Sequence, residues 1–355
     1  MSKFMSLRLA ALEAYVPGEQ PRDMQYIKLN TNESPFDPSP QVKAAVTSGR
    51  AARLQLYPEP DCTGLSDALA KHYGVRRENI VLGNGSDEIL NFCFAAYFDR
   101  LSPVVFPDIT YGFYKVFGDL YGSDYKQVPL DNGLRIRIED YIGVNKHIVL
   151  ANPNAPTGIA LALSDIERIV SSNPNNIVVI DEAYIDFGGE SCVPLIEKYK
   201  NLIVVMTFSK SRSLAGARVG FAIADSELAA DLNKIKYSTN PYNINSMSQQ
   251  AARAALDSLE YYDENCKRII DNRRAFCREL DRLGFDYLPS CANFVFAKKS
   301  GVSGRELYTK LKENGILVRR FDNPRISDWL RITIGTKEQM EKLAAALSNL
   351  TEEMK

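Results

Sequence analysis

Histidine is almost missing from this 355-residue chain, which has only His72 and His147. Two such residues give little material for a His-rich metal site or a serine–histidine–aspartate triad, so no metal is expected. Cysteine occurs at 62, 93, 192, 266, 277 and 291, with no C-x-x-C and no paired short spacing. That argues against a disulfide frame and for reduced thiols in a cytoplasmic protein. Neither sign of charge is in excess: 43 Lys and Arg stand against 44 Asp and Glu, a formal net charge of −1. Without a global basic field, neither nucleic acid nor a membrane surface is an expected partner. The opening MSKFMSLRLAALEAYVPGEQP carries Arg8 and Glu13 inside its apolar part. Neither a signal peptide nor a membrane span is expected there. The G-x-G-x-x-G fingerprint and the P-loop lysine are absent too, which counts against dinucleotide and NTP binding.

What is present is ordinary for a globular chain, 45% hydrophobic and 25% charged. The length suits one large domain and a smaller one. After an arm with several prolines, strand and helix signals alternate. Residues 79–85, PVVFP, 147–153, 176–184 and 201–208 read as strands; 86–98, YGFYKVFGDLYG and SDIERIVSS read as helices. Such alternation, with strands apolar throughout, predicts an α/β fold: a mainly parallel central sheet covered by helices. Residues 246–283 read as long, charged and helical. Short strands NFVFAKK, ILVRRF and LRITIG follow, with helices near 303–314 and 336–350. That tail predicts a smaller α+β domain. The expected division is an N-terminal arm over 1–40 joining the small domain, a large domain over 41–283, and the small domain over 284–355.

In a parallel sheet, ligands gather beyond the carboxyl ends of the strands. Four predicted strand ends are chemically rich. One leads into Gly83-Asn84-Gly85-Ser86-Asp87-Glu88, one into ANPNAPTG, one into Asp181-Glu182-Ala183-Tyr184, and one into Thr207-Phe208-Ser209-Lys210. Taken singly each has a plain explanation. Ser86 or Asp87 caps a helix, Asp181 caps a turn, Lys210 is a solvated lysine, and Arg218 makes a surface ion pair. Together they supply a phosphate cradle, an amide, a carboxylate with a phenol, and an amine. Pyridoxal phosphate wants that set: an amine for its aldehyde, a carboxylate for its ring nitrogen, a donor for its ring oxygen and a cradle for its phosphate.

The segments LNTNESPFDP, LYPEP, GNGSDEI, ITYGFY, NPNAPTG, DEAYIDF, TFSKSRSLAGARVGF, NPYNIN, SCANFVF and LRITIGT occur in this order along nearly the whole chain. In them the chain resembles the histidinol-phosphate aminotransferases, within the fold type I pyridoxal-phosphate-dependent transferases. The resemblance implies a homodimer and the pair of reactions between histidinol phosphate and glutamate or 2-oxoglutarate. It implies that Lys210 is the Schiff-base lysine and proton shuttle, and that Asp181 pairs with the pyridine nitrogen. Tyr184 would touch the ring oxygen and Tyr111 stack on the ring. The backbone around Ser86 and Asp87, with Ser209 and Arg218, would hold the phosphate, joined by Tyr57 from the partner subunit. Arg331 looks like the clamp for a substrate carboxylate, and Tyr15, Asn32 and Arg319 lie near the substrate's far end.

One departure stands out. Where the family often has asparagine directly before Pro-Thr-Gly, this chain has Ala155. Asn154 is expected to take over toward the ring oxygen. Threonine-phosphate decarboxylase and aromatic amino acid aminotransferase remain as rival activities on the same fold. A non-catalytic binding module is a third reading, opposed by the joint presence of Lys210 and Asp181.

Overall fold

The computed structural model describes residues 4–6, 9–47, 51 and 53–354. Residues 1–3 and 7–8 of the expected arm (Arg8 among them), 48–50 and 52 of the expected large domain, and 355 of the small one lie outside it. The strands, in chain order, are β1 (Ile27–Lys28), β2 (Ile80–Gly83), β3 (Val104–Pro107), β4 (Tyr125–Val128), β5 (His147–Ala151), β6 (Val178–Asp181), β7 (Leu202–Thr207), β8 (Gly220–Ala224), β9 (Asp286–Tyr287), β10 (Phe294–Lys298), β11 (Ile316–Leu317), β12 (Arg319–Arg320) and β13 (Leu330–Thr333).

Seven strands form the central sheet in the order β2-β8-β7-β6-β5-β3-β4. The pairs among β3 to β7 are parallel, and β8 runs antiparallel between β2 and β7. The sheet is therefore mainly parallel, as its unbroken apolar strands predict. Those strands are apolar because both faces are covered. Along β6 and β7, Val178, Ile180, Leu202 and Val204 face one core, which takes in residues of the helices Thr63–Tyr73, Leu163–Ser172 and Ser246–Leu256. The intervening Val179, Ile203 and Val205 face the other, with residues of Ser86–Tyr97, Phe113–Tyr121 and Ser226–Thr239. A period of two on a sheet covered twice gives this alternation.

A third core lies among the helices Leu259–Leu283, Gly304–Glu313 and Lys337–Glu353 and an antiparallel sheet ordered β12-β13-β10-β9. Short β1 of the arm pairs in parallel with β11, Ile27 opposite Ile316. Two expectations are corrected. Residues 246–283 are two helices, because the chain turns at Asp257 and Ser258 between them. ILVRRF is not one strand: β11 pairs with β1, and after Val318 the chain turns its hydrogen bonds to β13 as β12. All six cysteines are free thiols. Among the described residues no helix is long and apolar enough to cross a membrane.

Candidate active site

The carboxyl ends of β5, β6 and β7 stand side by side, with Ala151 in register with Asp181 and Asp181 with Val205. Beyond this edge lies a cavity of about 370 Å³. Tyr15, Asn32, Ser86, Asp87, Tyr111, Asp181, Tyr184, Ser209, Lys210, Arg218, Arg319 and Arg331 all line it. Twelve of the fourteen residues singled out in the sequence thus meet in one place. Tyr57 and Asn154 do not.

Asp181 closes β6 and is 5% exposed. Its carboxylate accepts from the Tyr114 hydroxyl at 2.9 Å and from the Ala183 N–H at 3.1 Å. Burial pushes this carboxyl up to about 6, against the pull of those two hydrogen bonds. Lys210 enters from the loop after β7, and its Nζ donates to the Thr31 carbonyl at 3.2 Å. The Tyr184 ring lies 5.8 Å from that ammonium, edge-on to Phe294.

The helix Ser86–Tyr97 begins at Gly85, which holds φ +80 and offers no side-chain cap. The capping expected of Ser86 or Asp87 is therefore absent, and the first N–H groups are left for another acceptor. Arg218 lies against this start. Its Nη2 donates to Asp87 at 3.0 Å and its Nη1 to Ser209 Oγ at 3.4 Å. The fit depends on glycine: a Cβ at Gly85 would come within 2.4 Å of Arg218 Nη2. A Cβ at Gly220 would come within 2.2 Å of the Ser86 nitrogen. Tyr111 donates to the other oxygen of Asp87 at 2.6 Å. Burial, with the Asp87 carboxylate second, raises its phenol well above the ordinary range.

The far wall belongs to the smaller sheet. Arg319 on β12 and Arg331 on β13 are direct cross-strand partners. Two like charges placed opposite each other repel unless an anion joins them. Arg331 Nη2 donates to the Asn30 carbonyl at 3.1 Å, while its buried Nε has no acceptor. Burial pulls this guanidinium down from its ordinary value, and the neighbouring Tyr184 and Tyr15 oppose that. Phe294 and Phe321 flank it at 5.3 and 5.6 Å. Arg319 donates to the carbonyls of Pro17 and Val16, each at 3.0 Å, and so ties the arm to the cavity wall. Tyr15 of that arm stacks on Phe113 at 4.2 Å.

Asn154 needs a correction. It is 1% exposed and wholly occupied: its Nδ2 donates to the Ile109 carbonyl and to Thr157 Oγ1, and its Oδ1 accepts from Thr110. The loop presents the Ala155 methyl to the cavity instead. Asn32 is also committed, to Thr333 and Tyr184. Tyr57 is 82% exposed and stacks on Tyr242 at 4.6 Å. Sequence reasoning missed Thr31 and Tyr114. Tyr114 stands in ITYGFY three residues after Tyr111, and that spacing, one helical turn, was the available signal.

The family model for aminotransferase class I and II matches residues 24–347. A histidinol-phosphate aminotransferase of Acinetobacter baumannii is 47% identical over 348 residues, 97% of this chain and 96% of that protein. Another, from a Marinomonas species, is 47% identical over 353 residues, 99% of this chain and 100% of the relative. Among solved structures, the histidinol-phosphate aminotransferase of Sinorhizobium meliloti in complex with pyridoxal-5'-phosphate gives a TM-score of 0.90 at 26% identity. That comparison covers 100% of this chain and 99% of the other.

Proposed function

The chain belongs to the class I and II aminotransferases, and from that membership we propose that it exchanges an amino group between L-histidinol phosphate and 2-oxoglutarate. The products are imidazole acetol phosphate and L-glutamate, a step of histidine biosynthesis. The observation that carries this reading is the pair Arg319 and Arg331, opposed across two strands and facing a cavity that also holds Lys210 and Asp181. Two guanidinium groups offer separate grips for two unlike donors, one with a carboxylate and one with a phosphate.

The residues fit pyridoxal phosphate. The uncapped helix start and Arg218 suit a phosphate, and the buried Asp181, which accepts from the uncharged Tyr114 hydroxyl and Ala183 N–H, suits a protonated ring nitrogen. When bound, that group supplies an aldehyde carbon for amine exchange and a ring that draws electron density from the substrate carbon. The protein's tasks follow. The backbone around Ser86 and Asp87, with Ser209 and Arg218, would hold the phosphate, and Tyr111 would cover the ring. Asp181 keeps the ring nitrogen protonated by its negative charge. Tyr184 faces the ring oxygen. Lys210 Nζ takes the proton from the substrate carbon and returns it elsewhere. Arg331, whose buried Nε has no acceptor, would hold the substrate carboxylate. Arg319 and Tyr15 receive the phosphate of histidinol phosphate.

We further take the protein as a cytoplasmic homodimer in which Tyr57 completes the partner's phosphate site. Its high exposure beside the exposed Leu54, Leu56 and Tyr242 supports that. The division into arm 1–40, large domain 41–283 and small domain 284–355 belongs to the same reading, supported by the β1–β11 pairing.

The test is single-turnover spectroscopy of each half-reaction. Histidinol phosphate followed by 2-oxoglutarate is expected to yield glutamate. Arg331→Ala is expected to slow the glutamate half by two or more orders of magnitude and the histidinol phosphate half far less. Carbon dioxide release from threonine phosphate, without glutamate from histidinol phosphate, would replace this reading with the decarboxylase.

A further inference from the structure

Alanine at 155 leaves the ring oxygen without the amide that the loop would otherwise offer. An amide does reach that corner, from another part of the chain. Asn32 Nδ2 donates to the Tyr184 hydroxyl at 2.9 Å. Asn32 comes from the arm, is 1% exposed, and holds φ +57, a left-handed conformation that asparagine tolerates better than most residues.

The direction of each hydrogen in this corner is fixed by its neighbours. The Asn32 backbone N–H donates to Thr333 Oγ1 at 3.0 Å. The Thr333 hydroxyl has one hydrogen, and it goes to Asn32 Oδ1 at 3.0 Å. The amide oxygen is thereby committed to Thr333, so the NH2 end must face Tyr184. Turning the amide over would strand the buried Thr333 hydrogen. Asn293 Nδ2 locks the same residue from behind by donating to the Asn32 carbonyl at 3.0 Å. The Tyr184 oxygen therefore accepts from Asn32, and its own hydrogen has no acceptor among the described residues. It remains for the cavity that Tyr184 lines. A hydroxyl that accepts one hydrogen bond also donates a stronger one.

We propose that Asn32 is a positioning residue that fixes the Tyr184 hydroxyl as a donor to the cofactor's ring oxygen, in place of the amide absent at Ala155. This rests on the reading that Tyr184 faces that oxygen. It also moves Asn32 from substrate contact to the hydrogen-bond chain Thr333–Asn32–Tyr184.

A donor aimed at the ring oxygen stabilises its anionic form. The oxygen then holds the neighbouring proton, shared with the Lys210 nitrogen, less tightly. Weakening the donor therefore raises the pH at which that proton leaves. The other groups facing Tyr184 are Lys210, Arg331, Tyr15, Tyr111 and Tyr114. None changes when the uncharged Asn32 is replaced, so a shift reports the hydrogen bond rather than a changed charge.

The experiment loads each protein with pyridoxal phosphate and titrates its visible absorption against pH. Glycine is the replacement of choice, because it adopts φ +57 without strain. Tyr184→Phe is expected to raise the midpoint. Asn32→Gly is expected to raise it in the same direction by about half a pH unit to one unit, the scale of one net hydrogen bond. In the double variant, Asn32→Gly should add nothing to Tyr184→Phe. Thr333→Val leaves Asn32 in place, removes its orienting hydroxyl, and should shift the midpoint the same way. An unmoved midpoint in both Asn32→Gly and Thr333→Val, or an additive shift in the double variant, would overturn the proposal. A Tyr184→Phe protein with an unmoved midpoint would instead overturn the contact on which it rests. A parent protein with no visible band would overturn the cofactor assignment itself.

Discussion

Asp181 is set against its own surroundings. Burial pushes its carboxyl up to about 6, and burial likewise pushes the adjacent Glu182 up to about 7. A raised acid binds its proton in the folded chain after the unfolded chain has released it. Below about pH 4 both states are protonated and nothing is lost. Between there and pH 6 the cofactor-free fold loses stability as pH rises, on the order of 3 kcal/mol for Asp181. Asp181→Asn should remove that part of the slope and keep the part due to Glu182, while turnover of the loaded enzyme falls strongly. Urea unfolding of cofactor-free protein from pH 4 to 8 checks it, and an unchanged slope would refute it. The placing of Lys210 and Asp181 at one cavity was legible because each stands at a readable strand end, and Arg218 follows Lys210 by eight residues. Asn154 was misread because spacing cannot say which way an amide points. Its three bonds to Ile109, Thr157 and Thr110 belong to the folded loop. Asn32 and Thr333 are 301 positions apart, so their partnership left no local trace.

The contact between β8 and the helix Ser86–Tyr97 belongs to the scale of elements. Gly220 pairs with Gly83 on one side and Thr207 on the other, which brings the strand against the helix start. Gly220→Ala would drive a methyl into the Ser86 nitrogen, where backbone cannot yield cheaply. The expected cost is about 1–3 kcal/mol in thermal or urea unfolding. Faster loss of pyridoxal phosphate on dialysis should accompany it, because the displaced group belongs to the proposed phosphate cradle. Full stability with full retention would mean the strand simply moves aside. Strand β8 was not legible in the sequence. It is buried throughout and continuous with the Arg218 loop, so no change of pattern marks its start. The same loop hides an antiparallel neighbour inside a sheet that otherwise reads as parallel. The helix Ser226–Thr239 was not read in the sequence either, although Asp225 caps it by accepting from the Glu227 N–H. The break at Asp257 and Ser258 had no glycine or proline to announce it.

Across the whole molecule, Tyr57 is one of several large apolar side chains that stand exposed, at 82%, and Tyr242 covers it only in part. If two chains share their sites, a Lys210→Ala protein mixed and refolded with a Tyr57→Ala protein should form hybrids with one intact site. Activity is then expected to exceed that of either parent, and sedimentation should give a dimer. Monomers, or a mixture no better than its components, would remove the shared site. The mainly parallel sheet was legible at this scale because strand composition reports burial on both faces. The covering of the cavity by the arm was not, since it depends on Arg319 meeting the carbonyls of Val16 and Pro17. If Arg319 takes the substrate phosphate as proposed, that tether makes the enclosure depend on who enters. Glutamate carries no phosphate for Arg319 and leaves the arm fastened. Under the proposed assignment, histidinol phosphate brings a dianion, a stronger acceptor than two peptide carbonyls, which competes with them for Arg319. The two donors that use one cavity in turn would therefore meet two different doors. Amide hydrogen exchange over residues 9–20 should quicken with histidinol phosphate and stay unchanged with glutamate. Equal exchange with both would show that the arm takes no part in telling them apart.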